Sequence, residues 1–137
     1  MFKFRKKDPE AKEVRKSKWF KNAKSKAKEY LDTPDKIPKL IEKAKKKAQK
    51  KSGPLKEVWE ALMTFFRLLK AYAKKEYREI PWESIVLILA CVIYLVMPID
   101  LISDFLPGGY IDDATLIAWT MRSVALDIEN FRIWEKE

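Results

Sequence analysis

The stretch YLVMPIDLISDFLPGGYIDDATLIAWTM, residues 94–121, contains two apolar segments separated by an interruption rich in proline and aspartate. The first segment ends at Pro98, and Pro107-Gly108-Gly109 interrupts the chain again before the second segment begins. Proline removes a backbone donor and glycine favours turns, so this composition predicts two helices joined by a reversal of direction. Four carboxylates lie in this apolar part of a basic protein: Asp100, Asp104, Asp112 and Asp113.

The rest of the chain also has the pattern of helices. Apolar residues recur three and four positions apart, which is the period of an amphipathic helix. Glycine is rare while Lys, Glu, Ala and Leu are abundant, and neither strand-like alternation nor an internal repeat is present. We therefore predict an all-α fold, a compact helical bundle, with helices near residues 9–31, 34–50, 54–78, 82–97 and 112–134.

Two of these predicted helices have well-separated faces. In the helix near 34–50, lysines surround a narrow apolar stripe of Ile37, Leu40, Ile41, Ala44 and Ala48. The helix near 54–78 has a polar seam that includes Glu60, Thr64 and Arg67, opposite a wide apolar face. A face of that width normally packs against other helices, so this helix is predicted to contribute to the core.

The apolar run from Ile85 to Met97 raises the question of a membrane span. An α-helix of this run is about 20 Å long, whereas the hydrocarbon core of a bilayer is about 30 Å thick. We therefore predict a buried core helix or a re-entrant segment rather than a spanning helix. Basic residues on both sides of the acidic turn fit a hairpin with both ends cytoplasmic. The second arm, Ala114 to Met121, is however too short for a second span.

The net charge of +9 is unevenly distributed along the chain. Residues 1–56 hold 21 Lys and Arg against 7 Asp and Glu, a net charge of +14, whereas residues 57–137 carry −5. The sequence KKSGP at residues 50–54 has the composition of a linker. We therefore predict a lysine-rich helical region at 1–53 and a second helical domain at 54–137. The basic region predicts an anionic partner.

Several classes of enzyme are disfavoured by the residues that the chain lacks. It has no histidine, which excludes imidazole bases and His-ligated zinc sites. Its one cysteine, Cys91, lies in the apolar run and is predicted to be a small buried hydrophobe. No glycine-rich phosphate-binding loop is present, and the N-terminus lacks the apolar region of a secretory signal. We predict no enzymatic activity and no cofactor.

The interruption and its flanks resemble the YkvA-like family, whose motif reads approximately Y-x-x-x-P-x-D-x-I-P-D-x-x-P-x-x-G-x-x-D-D. Ser103 stands where the family usually has a second proline, and the segment after Pro107 is one residue shorter than the common spacing. The resemblance implies a small helical domain at 54–137 that is often membrane-associated and has no established reaction. The residues that match the motif are Tyr94, Pro98, Asp100, Ile102, Asp104, Pro107, Gly109, Asp112 and Asp113.

Helix capping is the structural interpretation of the aspartates. Asp100 follows Pro98 and precedes a short predicted helix, where a carboxylate oxygen accepts a backbone N–H. Asp112 or Asp113 can cap the last helix in the same way, and the helix dipole favours negative charge there.

A divalent cation site is the alternative interpretation. Carboxylate oxygens are ligands for Mg²⁺ or Ca²⁺, and no Lys or Arg lies between Arg78 and Arg122 to neutralise the four charges. The spacing is not that of an EF-hand loop, and no nucleophile accompanies a carboxylate pair. We predict no metal and no catalytic residue. The candidates for a cation site are Asp100, Asp104, Asp112 and Asp113.

The charge distribution predicts a membrane-associated protein on the cytoplasmic side, with anionic lipids as partners of the basic front half and an apolar hairpin behind it. Alternatives are a soluble helical interaction scaffold, with a protein partner, or a divalent-cation-binding domain. Nucleic acid would use the same charge, but no reading motif or aromatic platform accompanies the lysines. The sequence leaves the oligomeric state open.

The capping interpretation predicts that Asp100→Asn and Asp112→Asn are tolerated, because Asn caps about as well as Asp, whereas Ala costs about 1 kcal/mol or more. The measurement is thermal unfolding of the parent and the variants with EDTA and with Mg²⁺ or Ca²⁺. A metal-dependent rise in Tm in the parent that the Asn variants lose would contradict capping and support a cation site.

Overall fold

A computed structural model of the protein describes residues 18–96 and 113–137, and within these ranges it contains six α-helices and no strand. Short 3₁₀ turns at Pro34–Lys36 and Lys56–Val58 lead into the second and third helices. The prediction of an all-α fold is confirmed. The helices are α1 (Lys18–Asp32), α2 (Ile37–Lys50), α3 (Trp59–Ala73), α4 (Trp82–Val96), α5 (Asp113–Ser123) and α6 (Ala125–Glu135).

Helix α4 lies at the centre of the fold, where it contacts α1, α2, α3 and α5. Every residue from Ile85 to Leu95 except Leu87 is buried, including Cys91. As far as Val96 the apolar run is therefore a core helix, the first of the two predicted alternatives, and Cys91 has the buried position expected of it. In the two described ranges, no helix combines the length and apolarity needed to cross a membrane.

The lysine-rich helices α1 and α2 form part of this core. All five residues of the predicted stripe on α2, from Ile37 to Ala48, are buried, and so is Ala27 of α1. These residues belong to the same hydrophobic cluster as the apolar residues of α3 to α6. The described residues on the two sides of residue 53 thus share one core, while the domain boundary at that residue stays a prediction.

Helix α3 ends at Ala73, five residues before the predicted end near 78. Lys75 has a φ of 64°, and the amide of Glu76 donates to the carbonyl of Ala71 while the amide of Lys75 donates to the carbonyl of Tyr72. This pair of bonds is a Schellman motif, in which glycine usually occupies the left-handed position. No sequence signal marks this end of the helix, because lysine takes the place of glycine.

The predicted final helix is divided into α5 and α6 at Val124, whose φ and ψ are −116° and 20°. The hydroxyl of Ser123 donates to the carbonyl of Trp119 at 3.0 Å, a bond back to the preceding turn that often bends a helix. The predicted apolar stripe nevertheless continues across the bend, because Val124, Ile128 and Phe131 are all buried.

A polar network joins α3 to α6 and corrects the predicted position of Thr64. The sequence places Thr64 on the polar seam, but it is fully buried, and its hydroxyl donates to the carbonyl of Glu60 at 2.8 Å. The guanidinium groups of Arg67 and Arg132 donate to the hydroxyl oxygen of Thr64 at 3.3 and 3.4 Å. Arg67 also forms an ion pair with Glu135 at 2.9 Å, and this hydrogen bond raises the pKa of Arg67.

An aromatic cluster fixes the chain after α3 against α6. Tyr77 is buried, and its ring lies 5.1 Å from that of Phe131 and 5.0 Å from that of Trp134, measured between centroids. Phe131 and Trp134 stack at 5.7 Å. Burial raises the pKa of Tyr77, and the carboxylates of Glu79 and Asp127 add to the rise.

The shared core predicts that Leu40→Ala destabilises the whole fold by about 2–5 kcal/mol, because it leaves a cavity between α2 and its neighbours. The control Lys43→Ala, on the exposed face of α2, should change stability by less than about 0.5 kcal/mol. Urea unfolding of the full chain measures both. Equal effects of the two substitutions would show that α2 does not contribute to the core.

The raised pKa of Tyr77 predicts a loss of stability in alkaline solution. The unfolded tyrosine ionises near pH 10, whereas the buried one resists ionisation, so its contribution is present below pH 10 and is lost as pH rises through the folded pKa. The difference in unfolding free energy between the parent and Tyr77→Phe should change by up to about 1.4 kcal/mol per pH unit above pH 10. Parallel pH profiles of the two proteins would contradict this.

Candidate functional site

The aspartate-rich motif falls mostly outside the part of the chain that the structure describes. Tyr94 is buried on α4, and Asp113 is the first residue of α5. The capping and cation-site interpretations therefore stay predictions. The described ranges contain no group of three or more metal-ligating side chains. The motif residues outside the described ranges are Pro98, Asp100, Ile102, Asp104, Pro107, Gly109 and Asp112.

A lysine from α2 lies at the end of α4, within the motif and two residues before Pro98. The ammonium of Lys47 donates to the carbonyl of Val96 at 3.0 Å. A helix leaves its last carbonyls unpaired and has its negative dipole end there, so this contact stabilises the C-terminus of α4. The sequence indicated no cation near this point, because Lys47 is 49 residues away along the chain.

The exposed side of α2 is a row of lysines. Lys39, Lys43, Lys46 and Lys50 are spaced by four, three and four residues, so they share one helix face, and all four are exposed. Because the buried stripe occupies the opposite side of the helix, this face points away from the core. We call these four residues the α2 lysine row.

The surroundings of the α2 lysine row are strongly cationic. Residues 18–56 contain 14 lysines and only 4 carboxylates, and 12 of these lysines are exposed. The net charge of residues 18–56 is therefore +10.

An exposed tryptophan lies beside α1. Trp82, the first residue of α4, is 52% exposed, and the ammonium of Lys28 lies 5.4 Å from its ring centroid. An exposed cation–π contact of this kind contributes about 0.5–1 kcal/mol. Lys21 lies two helical turns before Lys28 and on the same side of α1, so a large apolar ring lies beside exposed lysines of this helix.

A surface depression at the end of α1 has a different character. Its lining contains two lysines and two carboxylates, so the local charge is balanced and does not favour an anion. The lining residues are Lys26, Glu29, Tyr30, Asp32, Thr33 and Lys36. The α2 lysine row and the border at Trp82 are therefore the stronger candidates for a functional surface.

The exposed lysines of α1 and α2 can bind anions. Ammonium groups on long flexible side chains attract phosphate or carboxylate groups without demanding one geometry. Sequence reasoning predicted the basic region and its anionic partner. It missed the contacts of Lys47 and Trp82, because each joins residues about fifty positions apart, which no local pattern reports.

Comparison with known proteins identifies relatives without an assigned function. Residues 84–119 match a family described as a protein of unknown function (DUF1232). The chain is 28% identical over 80 residues to a protein of Bacillus subtilis (strain 168) named "Uncharacterized membrane protein YkvA". That alignment covers 58% of this chain and 76% of the relative. No solved structure matches the chain.

Both matches agree with the motif. The family match begins in the first turn of α4 and ends within α5, so it includes the aspartate-rich segment between the two helices. The resemblance of this chain to the YkvA-like family is thus confirmed.

Proposed function

We propose that this protein binds the surface of anionic membranes through the exposed lysines of α1 and α2. One observation carries the proposal: the apolar stripe of α2 is buried against the bundle, so the α2 lysine row faces outward. Because core packing fixes the orientation of α2, the four ammonium groups face the same way. They can therefore contact a flat anionic surface together. The cytoplasmic leaflet is the anionic one, so we place the protein on the cytoplasmic side.

The available charge is sufficient for this role. A Lys or Arg near an anionic leaflet contributes about 1 kcal/mol, so the four residues of the α2 lysine row supply about 4 kcal/mol without any specific contact. Neighbouring exposed lysines of α1 add to this attraction. Because salt screens such interactions, binding should weaken as ionic strength rises.

Attachment through the surface of the bundle fits the packing better than insertion of the apolar hairpin. Helix α4 is enclosed by its neighbours, and Leu116, Ile117 and Trp119 of α5 are buried as well. Insertion would require these helices to leave the core. The mode that we propose is therefore peripheral and electrostatic.

The name of the Bacillus subtilis relative, an uncharacterized membrane protein, supports a role at membranes. A scaffold function is less favoured, because the wide apolar face of α3 is buried, including Leu62, Phe65 and Leu69. Nucleic acid remains the competing anionic partner. We propose no catalytic activity, in keeping with the absence of histidine and of a phosphate-binding glycine loop.

Substitution of the exposed lysines tests the proposal more sharply than truncation. Deleting residues 1–50 would remove buried residues such as Ala27, Ile37 and Leu40 and would uncover α4. The combined variant Lys39→Gln, Lys43→Gln, Lys46→Gln removes charge only. We expect it to weaken binding to vesicles that contain phosphatidylserine by about 3 kcal/mol, roughly a hundredfold, as measured by vesicle sedimentation at low salt.

A matched variant removes the same charge elsewhere: Lys70→Gln, Lys74→Gln, Lys136→Gln, all exposed, in α3, just after α3 and just after α6. It should retain most of the binding. Equal losses in the two variants would mean that only the net charge matters and would contradict a defined lysine surface. Binding to duplex DNA at the same salt that exceeds vesicle binding would favour nucleic acid as the partner.

A further inference from the structure

Three large hydrophobic side chains stand out as exposed in the described ranges: Trp82 at 52%, Leu126 at 71% and Ile133 at 55%. They differ in their surroundings. Leu126 and Ile133 lie on α6, where the exposed neighbours are of mixed charge, Arg122 and Lys136 beside Glu129 and Glu137. Trp82 has the ammonium group of Lys28 over its ring. The tryptophan therefore lies where apolar and cationic groups meet.

The fold gives Trp82 this position through two elements. Proline at position 81 precedes the helix, and Trp82 begins α4 at the surface, whereas the core begins two residues later with Ser84 and Ile85. Helix α1 packs along α4 and brings Lys28 to the ring from 54 positions earlier in the chain. The exposure of Trp82 thus follows from its position at the surface end of α4.

Charge around Trp82 suits an anionic surface. Lys21 and Lys28 are exposed on the same side of α1, and Lys24 between them is half-buried. Glu83 is the one carboxylate beside the tryptophan in the first turn of α4, where the helix dipole favours it. An indole ring with adjacent ammonium groups matches the membrane–water interface, in which tryptophan is enriched and lysine meets lipid phosphate.

We infer that Trp82 is an interfacial anchor, which inserts into the headgroup region of an anionic bilayer beside Lys28. This inference rests on the proposed function and deepens it. The α2 lysine row supplies long-range attraction that depends on salt, and Trp82 supplies short-range burial of apolar surface that does not. The two contributions can therefore be separated in one titration.

The experiment compares full-length parent and Trp82→Ala for partitioning into phosphatidylcholine vesicles that contain phosphatidylserine, at low and at high salt. We expect Trp82→Ala to weaken partitioning roughly tenfold at both salt concentrations, since about 55 Å² of apolar surface no longer leaves water. The lysine variant Lys39→Gln, Lys43→Gln, Lys46→Gln should instead reduce the dependence on salt. Thermal unfolding verifies that Trp82→Ala folds like the parent.

Quenching by brominated phosphatidylcholine reports on the ring itself. Vesicles with brominated acyl chains should quench part of the tryptophan emission of the parent, and Trp82→Phe should lose that part while it still binds. The matched control is Ile133→Ala, which removes a comparably exposed apolar side chain and should partition like the parent.

Each other outcome has a defined meaning. If Trp82→Ala partitions like the parent, or if Trp82→Phe is quenched as strongly as the parent, the anchor is wrong while electrostatic binding stands. If Ile133→Ala loses as much as Trp82→Ala, or if Trp82→Ala abolishes self-association of the free protein, Trp82 serves another surface and the inference is overturned. If the parent does not bind anionic vesicles at all, the proposed function is wrong, and the inference that rests on it is wrong as well.

Discussion

The structure depends on the need to cover an apolar helix on every side. Helix α4 has no polar face in its middle, so neighbours must shield it all round, and α1, α2, α3 and α5 do so. Burying a large aliphatic side chain contributes about 1.5–3 kcal/mol, so the buried residues between Ile85 and Leu95 contribute strongly to stability. The lysine-rich α2 covers α4 with a single apolar stripe.

This requirement explains how so basic a segment can fold. On α2 the buried stripe has large residues, Ile37, Leu40 and Ile41, in the first half of the helix and the small Ala44 and Ala48 in the second half. The remaining positions are free of packing constraints and are occupied mainly by lysine. The same contact that stabilises the core therefore orients the charge outward, which couples the fold to the proposed membrane surface.

Helix α6 is attached to the fold differently from α2, because its apolar stripe is shorter and consists of Ile128 and Phe131. Three contacts hold it in place. The ring of Phe131 packs against that of Tyr77, Arg132 donates to the hydroxyl of Thr64, and the hydroxyl of Ser84 donates to Asp127. These contacts are side-chain specific, and each joins α6 to a segment more than forty residues earlier. Buried polar groups must find such partners, because leaving one unpaired costs about 1–3 kcal/mol.

The sequence by itself determined the helical class, the buried stripe of α2 and the core role of α4, because periodicity and length are local properties of the chain. It also determined the charge asymmetry, from which we predict an anionic partner. Only the tertiary structure decided where α3 ends, because a left-handed Lys75 has no sequence signal, and where the last helix bends at Val124. It alone also brought Lys47 to the end of α4 and Lys28 to Trp82, because contacts between residues about fifty positions apart arise from packing and not from any local pattern.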